Sequence, residues 1–280
     1  MLASLLGAGL TFLWVHRSLV GEGISFRPAW NWSYLRDAAR LGGAVQLSNL
    51  LVQMTGRLDL LFVYRIAGSA AAGLYSVSLT LGMLVGSVPM AIAFASFPRL
   101  ARMEVEEDAQ HLVASLFRSG VAASAVVALG LGLASPLVLP LVFGDEYRDA
   151  VAPTLLLVPA GVLWSGQWIL CRSAMARGEP RPLAVSFTAS FVVMVALDLA
   201  LISSHGILGA ASASFSSSAV GFIIAVAYYI AARGDWRPLV PRFGDAMLMV
   251  TTVRQMMASA WGRRSPQVED QTPTVPPVSG

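Results

Sequence analysis

Five polar side chains within one apolar stretch of the sequence have types and spacing that could serve transport. Gln46, Asn49, Gln53 and Arg57 recur three and four residues apart, which places them on one face of a helix. Asp59 follows Arg57 by two residues and therefore points to nearly the opposite face. If this helix lies in a membrane, its charged groups must face protein or water, because a charge in contact with lipid is costly.

The sequence leaves two interpretations of this polar stripe, defined as Gln46, Asn49, Gln53 and Arg57. The four side chains can line a water-filled cavity that contacts a hydrophilic substrate or a coupling ion. They can instead bond across helices and hold a membrane bundle together, at about 0.6 kcal/mol per interaction. For Asp59, a structural ion pair with a partner on another helix is an equal alternative.

Asp198 and Arg118 are the other charged residues within apolar stretches that we single out. The long side chain of Arg118 can reach the headgroups from the end of its stretch. Asp198 is too short to do so well, which makes it a further candidate for the cavity lining. His16, His111 and His205 lie far apart in separate loops, and no acidic pair has the spacing of a metal site. The sequence therefore predicts neither an enzyme nor a metal or cofactor site.

The elements that carry these residues are long apolar segments. Hydrophobic residues make up 56% of the 280-residue chain and charged residues 12%, about half the charge of an ordinary soluble domain. Runs near 20 apolar residues fit helices that cross a bilayer core of about 30 Å. The segments lack the polar and apolar alternation of membrane β-strands. We predict an all-α polytopic membrane protein of about seven transmembrane helices, over residues 2–15, 42–66, 71–97, 112–143, 151–170, 183–202 and 206–232.

The basic residues predict the orientation of these helices. Every basic residue is an arginine, and the arginines are scattered between apolar runs, which does not indicate nucleic-acid binding. Arginines are frequent in alternate connections between the spans. The opposing connections carry only Arg65 and Arg148. By the positive-inside rule the richer side is cytoplasmic. The N-terminus is then outside and the C-terminus in the cytoplasm.

Composition also divides the chain into five parts. Residues 1–16 form the first, partial helix, and residues 17–41 a cytoplasmic linker with an interfacial helix anchored by Trp30, Trp32 and Tyr34. Residues 42–232 form a six-helix lobe, in which Pro136 and Pro140 are expected to break the far end of the fourth span. Residues 233–264 form a cytoplasmic or interfacial tail. Residues 265–280 are rich in Pro, Thr and Ser and are expected to be disordered.

Five short motifs, in order along residues 34–232, resemble the Wzx-type polysaccharide flippases. These proteins belong to the superfamily that also contains multidrug extruders and lipid II flippases. The motifs are Arg57-Leu58-Asp59, Ala72-Gly73-Leu74-Tyr75-Ser76, Phe97-Pro98-Arg99-Leu100-Ala101, Phe143-Gly144-Asp145-Glu146-Tyr147 and Gly206-Ile207-Leu208-Gly209-Ala210-Ala211. The chain departs from the family in Ser203-Ser204-His205, where a proline often follows Leu-Ile, and in Asp198, where an amide is common.

The resemblance implies a function and a missing half. Such flippases have two lobes of six helices, and the motifs found here belong to the second lobe. The resemblance implies flipping of an undecaprenyl-pyrophosphate-linked oligosaccharide across the cytoplasmic membrane by alternating access, for O-antigen or capsule synthesis. It makes Arg57 the first candidate for binding the anionic carrier and Arg118 a distant second. The lobe would need a separately encoded N-terminal lobe, a second copy of itself, or an upstream coding stretch.

Three other functions remain open from the sequence. A multidrug or cation-coupled extruder of the same superfamily would depend on Asp59 and Asp198 rather than on Arg57. A non-transporting subunit would anchor polysaccharide-assembly enzymes through residues 243–280. A gene fragment without function would give no stable protein.

Overall fold

The computed structural model describes residues 31–103, 106–233, 235 and 237–240, together with positions 7, 11 and 17. Apart from these single positions, the predicted first span and the linker up to residue 30 lie outside the described residues. The tail beyond residue 240, with its predicted disordered part, lies outside them as well. The chain forms two compact units, Met1–Gly43 and Ala44–Gly280. The packing described below concerns the second unit.

The described residues form helices and connections, with no strand among them. Four of the helices are α1 (Trp32–Ala67), α2 (Ser69–Ala101), α3 (Glu106–Phe143) and α4 (Val151–Ala176). A last helical stretch, Arg181–Arg233, follows, and short 3₁₀ turns cover Asp145–Ala150 and Arg237–Leu239. The interfacial helix was predicted over residues 30–40, of which residues 32–40 are helical and continuous with the predicted second span.

The stretch Arg181–Arg233 is two antiparallel helices rather than one. Gly206 has φ 56° and ψ −133°, which no helical residue adopts. Beyond it the chain turns back, so that the Ser186 hydroxyl donates a hydrogen bond of 2.8 Å to the carbonyl of Gly221. We call residues 181–205 α5 and residues 207–233 α6. The predicted boundary between the last two spans at residues 202–206 is confirmed.

The prediction of an all-α polytopic membrane protein is confirmed. Four helical stretches in the described part of the chain are long and apolar enough to cross a membrane: Ser69–Ser87, Asp108–Phe143, Asp145–Ala176 and Arg181–Arg233. The last of these, with 53 residues, contains both α5 and α6 and can cross twice. α1 has the length of a span, but its polar residues lower its hydropathy below that of the other helices. Its crossing stays a prediction.

α4 is the central helix of the bundle and packs against α2, α3 and the α5–α6 pair. Glycines let the backbones approach closely. A Cβ at Gly82 would lie 3.0 Å from the carbonyl oxygen of Leu157, and a Cβ at Gly86 would lie 2.8 Å from the Trp164 ring. Close approach of this kind replaces the hydrophobic driving force that helices lack in lipid.

The outer face of α3 is a row of exposed leucines. Leu129, Leu133, Leu137 and Leu141 recur at every fourth position and are between 65% and 78% exposed. A soluble protein would expose such an apolar row only at an interface. On a membrane helix the row faces the lipid tails.

The expected break at Pro136 and Pro140 is wrong, because α3 continues through both residues to Phe143. Pro136 lacks the N–H that would bond the carbonyl of Gly132. The hydroxyl of Ser135 donates to that carbonyl at 2.9 Å instead. A serine side chain that satisfies a freed carbonyl is one of the ways in which membrane helices tolerate proline.

The helices alternate in direction, which sorts their connections between two ends. α4 packs parallel to α2, where Gly82 meets Leu157 and Gly86 meets Trp164, and antiparallel to α5, where Gln167 bonds Ser186. One end therefore holds Gly68, Gly206 and residues 144–150, with Arg65 and Arg148. The other, which we call the arginine-rich end, holds residues 102–103, 177–180 and 237–240, with Arg102, Arg172, Arg177, Arg181, Arg233 and Arg237.

Candidate functional site

The polar stripe and Asp59 lie on opposite faces of α1, as predicted. Gln46, Gln53 and Arg57 are exposed and Asn49 is half-buried, whereas Asp59 is 1% exposed. The stripe therefore lies on the surface of the bundle and Asp59 in its interior. Asn49 and Asp59 are separated along α1 by about 15 Å at 1.5 Å per residue, and the nearer Arg57 points to the opposite face, so the stripe and Asp59 form separate parts of the candidate site.

The carboxylate of Asp59 is held by two hydroxyl groups from other helices. The Tyr75 hydroxyl of α2 donates a hydrogen bond of 2.6 Å to Asp59 Oδ2, and the Ser214 hydroxyl of α6 donates one of 2.7 Å to the same oxygen. The two hydroxyl oxygens are 3.3 Å apart. Asp59 Oδ1 has no hydrogen-bond partner among the described residues. The structural ion pair considered for Asp59 is not seen among the described residues, where hydroxyl groups bond the carboxylate.

Asp198 of α5 lies beside this cluster in the interior. Its side chain is fully buried, and neither carboxylate oxygen bonds another described residue. It is close enough to interact electrostatically with both Asp59 and Tyr75. Two buried carboxyl groups thus lie near each other, and three of their oxygens have no hydrogen-bond partner among the described residues.

The chemistry of this inner carboxyl pair, Asp59 and Asp198, suits a small cation. An unpaired buried carboxylate costs several kcal/mol, and a bound cation removes that cost. The oxygen donors present are two carboxyls, with the hydroxyls of Tyr75 and Ser214 behind one of them. No group of three or more His, Cys, Asp or Glu side chains occurs in the described part of the chain, so the donor set does not resemble a transition-metal site.

Asn49 is the member of the polar stripe that contacts a charged side chain, Arg172. Arg172 Nη2 of α4 donates a hydrogen bond of 3.0 Å to Asn49 Oδ1. The guanidinium carbon lies 4.3 Å from the centre of the Trp168 ring and 5.6 Å from that of Phe94. Arg172 is half-buried, and its Nε has no hydrogen-bond partner among the described residues. An aromatic platform thus fixes an arginine next to the polar stripe.

Arg118, the second arginine suggested by the family resemblance, is engaged elsewhere. Its Nη1 donates a hydrogen bond of 2.6 Å to the carbonyl of Pro238, in the turn after α6. The contact holds the end of α6 against α3 at the arginine-rich end.

Tyr75, Ser214 and Arg172 were missed as site residues by the sequence analysis. Tyr75 was part of a family motif without a role, and Ser214 of the last span was given no role. Four small residues of that span, Gly209, Ala213, Ser217 and Gly221, are all buried, which allows close packing of α6. Arg172 was placed in a loop because the predicted span ended at residue 170, whereas α4 continues to Ala176.

Comparison with known proteins assigns the chain to a family. Residues 4–152, a little more than half of the chain, match the family of polysaccharide biosynthesis proteins. The chain belongs to this family. The resemblance to Wzx-type polysaccharide flippases is thereby confirmed, and the match extends through the whole of α1, α2 and α3.

Two curated relatives carry names from polysaccharide export. A protein of Shigella flexneri named as an O-antigen transporter is 28% identical over 172 residues, which cover 61% of this chain and 41% of the relative. A protein of Haloferax volcanii named as a flippase of low-salt glycan biosynthesis is 28% identical over 142 residues, 49% of this chain and 30% of the relative. The chain thus spans less than half the length of either relative. No solved structure matches the chain.

Proposed function

We propose that this flippase-family chain takes part in moving a lipid-linked oligosaccharide across the cytoplasmic membrane. The substrate would be an oligosaccharide on an undecaprenyl-pyrophosphate carrier, and the movement would occur by alternating access between two lobes. The names of the relatives, which describe transport of O-antigen and flipping in glycan synthesis, support transport rather than catalysis. They also support a lipid-linked saccharide over a drug as the substrate.

The observation that carries the proposal is the exposed polar stripe on a helix of a membrane bundle. Gln46, Gln53 and Arg57 lie on the surface, where lipid would leave their hydrogen-bonding groups unsatisfied. The exposed surface of α3, which we assign to the lipid, is by contrast a row of leucines. The stripe is instead suited to water and to the hydroxyl groups of a glycan.

Two arginines give this surface the charge that a pyrophosphate needs. Arg57 is exposed on the stripe, and Arg172 is fixed beside Asn49 with its Nε free of protein partners among the described residues. Arginine binds phosphate oxygens through its planar fork of N–H donors. We therefore place the carrier pyrophosphate between Arg57 and Arg172 and the sugars along the stripe.

A polar stripe on the surface of this bundle can form only one wall of a cavity. The proposal therefore includes a second protein surface that forms the opposite wall. A separate N-terminal lobe or a second copy of this chain would supply it. The cytoplasmic membrane and a cytoplasmic C-terminus also belong to the proposal. They are supported by the position of Arg65 and Arg148 at the end opposite to the other inter-helix arginines.

Cysteine accessibility tests the water-filled surface. In a chain with Cys171 replaced by alanine, Gln53→Cys and Arg57→Cys should react with a membrane-impermeant hydrophilic maleimide in native membranes. The matched control is Leu133→Cys, which is 75% exposed in the bundle but is expected to face lipid and to stay unlabelled. Equal labelling at all three positions, or no labelling at residues 53 and 57, would refute the proposal that the stripe lines a water-filled cavity.

Transport assays separate the proposed substrate from its rivals. In cells that lack their own flippase and carry the full chain, Arg57→Ala should reduce surface polysaccharide while leaving drug resistance unchanged. A multidrug extruder would lose drug efflux in Asp59→Asn and tolerate Arg57→Ala. An anchoring subunit would tolerate both variants and lose function when residues 243–280 are deleted.

We further propose that the inner carboxyl pair binds the cation that drives transport. Three of its four carboxylate oxygens lack a hydrogen-bond partner among the described residues, and α1, α5 and α6 all contribute groups, so that binding can bias their packing. The purified chain should unfold at a higher temperature in sodium chloride than in N-methylglucamine chloride, and Asp198→Asn should lose the difference. Asp145→Asn, in an exposed ion pair, is the control. If neither sodium nor pH gives a response that Asp198→Asn removes, the pair binds no coupling ion.

A further inference from the structure

A second cavity lies at the arginine-rich end, between the last turns of α4 and α6. Its volume is about 280 Å³, near the lower limit for small-molecule sites. Apolar side chains of three helices, Val113, Leu170 and Ala225, form its inner wall. Its polar wall contains Ser173, Tyr229 and two arginines, Arg177 and Arg233. It contains no residue of the polar stripe or of the inner carboxyl pair.

The loop at the end of α4 holds this cavity in a defined shape. Glu179 N–H donates to the Ala174 carbonyl at 3.1 Å, and Gly178 N–H donates to the Met175 carbonyl at 3.0 Å. This pair of bonds, with Gly178 at φ 81°, is the Schellman arrangement that ends helices. It fixes Arg177 at the edge of the cavity. Pro182, in the first turn of α5, completes the wall.

The charge around the cavity is predominantly positive. Arg177 and Arg233 form part of the lining, and Glu179 is the acidic residue that offsets them. Arg118 and Arg177 are close enough to Tyr229 to act on it electrostatically, as is Asp235. The tyrosine hydroxyl adds a neutral donor to a cavity whose inner wall is apolar.

This combination fits one ligand chemistry. A phosphodiester carries one negative charge and oxygen atoms that match the forked donors of arginine. Basic pockets between membrane helices at the arginine-rich side bind anionic lipid headgroups. The apolar inner wall suits the glycerol and first methylene groups of a lipid better than a hydrated free anion. We propose that this cavity binds the phosphate of an anionic glycerophospholipid, with phosphatidylglycerol as the probe.

The binding experiment uses the purified full chain in nanodiscs of phosphatidylcholine with increasing phosphatidylglycerol. Phosphatidylglycerol should raise the melting temperature of the wild-type chain, and Arg177→Gln combined with Arg233→Gln should lose the shift. The paired control is Arg65→Gln with Arg148→Gln, at the other end of the bundle, which should keep it. An equal shift in the cavity variant and the control would overturn the proposal.

Two further arms distinguish the source of the phosphate. Inorganic phosphate added to phosphatidylcholine nanodiscs should not reproduce the shift. Any shift from undecaprenyl phosphate, which the proposed carrier site can bind, should be kept in the cavity variant. A full shift with either one, lost in the cavity variant, would overturn the assignment to a phospholipid.

If the double variant fails to fold, crosslinking of a lipid to the wild-type chain still tests the site. Photoactivatable phosphatidylglycerol should crosslink to peptides containing residues 173–182 and 225–233. Crosslinks distributed evenly along the lipid-facing helices, including the leucine row of α3, would refute a specific site.

Discussion

The guanidinium carbon of Arg172 lies 4.3 Å from the centre of the Trp168 ring, one helical turn earlier on α4. Trp168 is 7% exposed, so the ring is a buried support rather than a surface for stacking sugars. Together with the bond to Asn49, it fixes the direction of the arginine. A cation–π contact of this kind contributes about 0.5–2 kcal/mol.

Replacement of Arg172 should impair transport more than stability. Arg172→Gln removes the fixed charge beside the stripe, and we expect polysaccharide export to fall about ten-fold or more, as for loss of a charge-assisted phosphate contact. Arg172→Lys keeps the charge without the fork and should give an intermediate rate. Export is measured in flippase-deficient cells, with Arg148→Gln as the control. Wild-type export in Arg172→Gln would exclude the residue from substrate binding.

Loss of the Tyr75 hydroxyl should destabilise the bundle. Tyr75→Phe leaves the buried Asp59 with one hydroxyl donor instead of two. Hydrogen bonds to charged groups contribute about 1.5–3 kcal/mol, and the free energy of unfolding in detergent should decrease by about that amount. Tyr64→Phe, at a residue that is 53% exposed, should change it by less than about 0.5 kcal/mol. Equal effects of the two substitutions would mean that the Asp59 contact contributes nothing.

The crossing of α5 and α6 should not tolerate a methyl group at Gly221. A Cβ there would overlap Ser190 Oγ and Gln167 Nε2, and Gln167 also bonds Ser186 at 2.8 Å. Gly221→Ala should cost about 1–3 kcal/mol, as overpacking does. Gly130→Ala, on α3 with nothing within 4 Å of its Cβ position, is the matched control and should be neutral or stabilising. Thermal unfolding of both variants decides the question, and an unchanged melting temperature for Gly221→Ala would contradict the packing.

The turn at Gly206 should resist any side chain for a different reason. Its Cβ position has nothing within 4 Å, but its φ of 56° with ψ −133° is a conformation that L-residues rarely adopt. Gly206→Ala should therefore cost about 1–3 kcal/mol of backbone strain. Gly73→Ala, in a helix with equally open space, serves as the comparison. If the two variants unfold at the same temperature, the turn is not strained.

The sequence predicted the helices well because apolar length and arginine placement are local signals. Six of the seven predicted segments coincide with helices of the described residues, and the division of the last two at Gly206 is correct. The opposite faces of Arg57 and Asp59 followed from helical geometry alone. The continuation of α3 through Pro136 was not predictable without the Ser135 hydroxyl that replaces the missing donor.

The partners within the candidate site could not be predicted from the sequence. Tyr75 and Ser214 are 16 and 155 residues from Asp59 in the chain, and one sequence gives no signal that they meet. Arg172 was hidden by its position near the end of an apolar run, where an arginine ordinarily reaches for headgroups. Such contacts depend on how helices rotate about their axes, which tertiary packing decides.

The reversal at Gly206 bears on how the protein enters its membrane. A single residue joins α5 to α6, and the polar residues next to it are Ser203, Ser204 and His205, where Ser204 Oγ is 2.7 Å from His205 Nδ1. No hydrophilic loop has to be carried through the hydrocarbon during biosynthesis. The two helices can therefore insert together as a hairpin whose halves pair through Ser186 and Gly221.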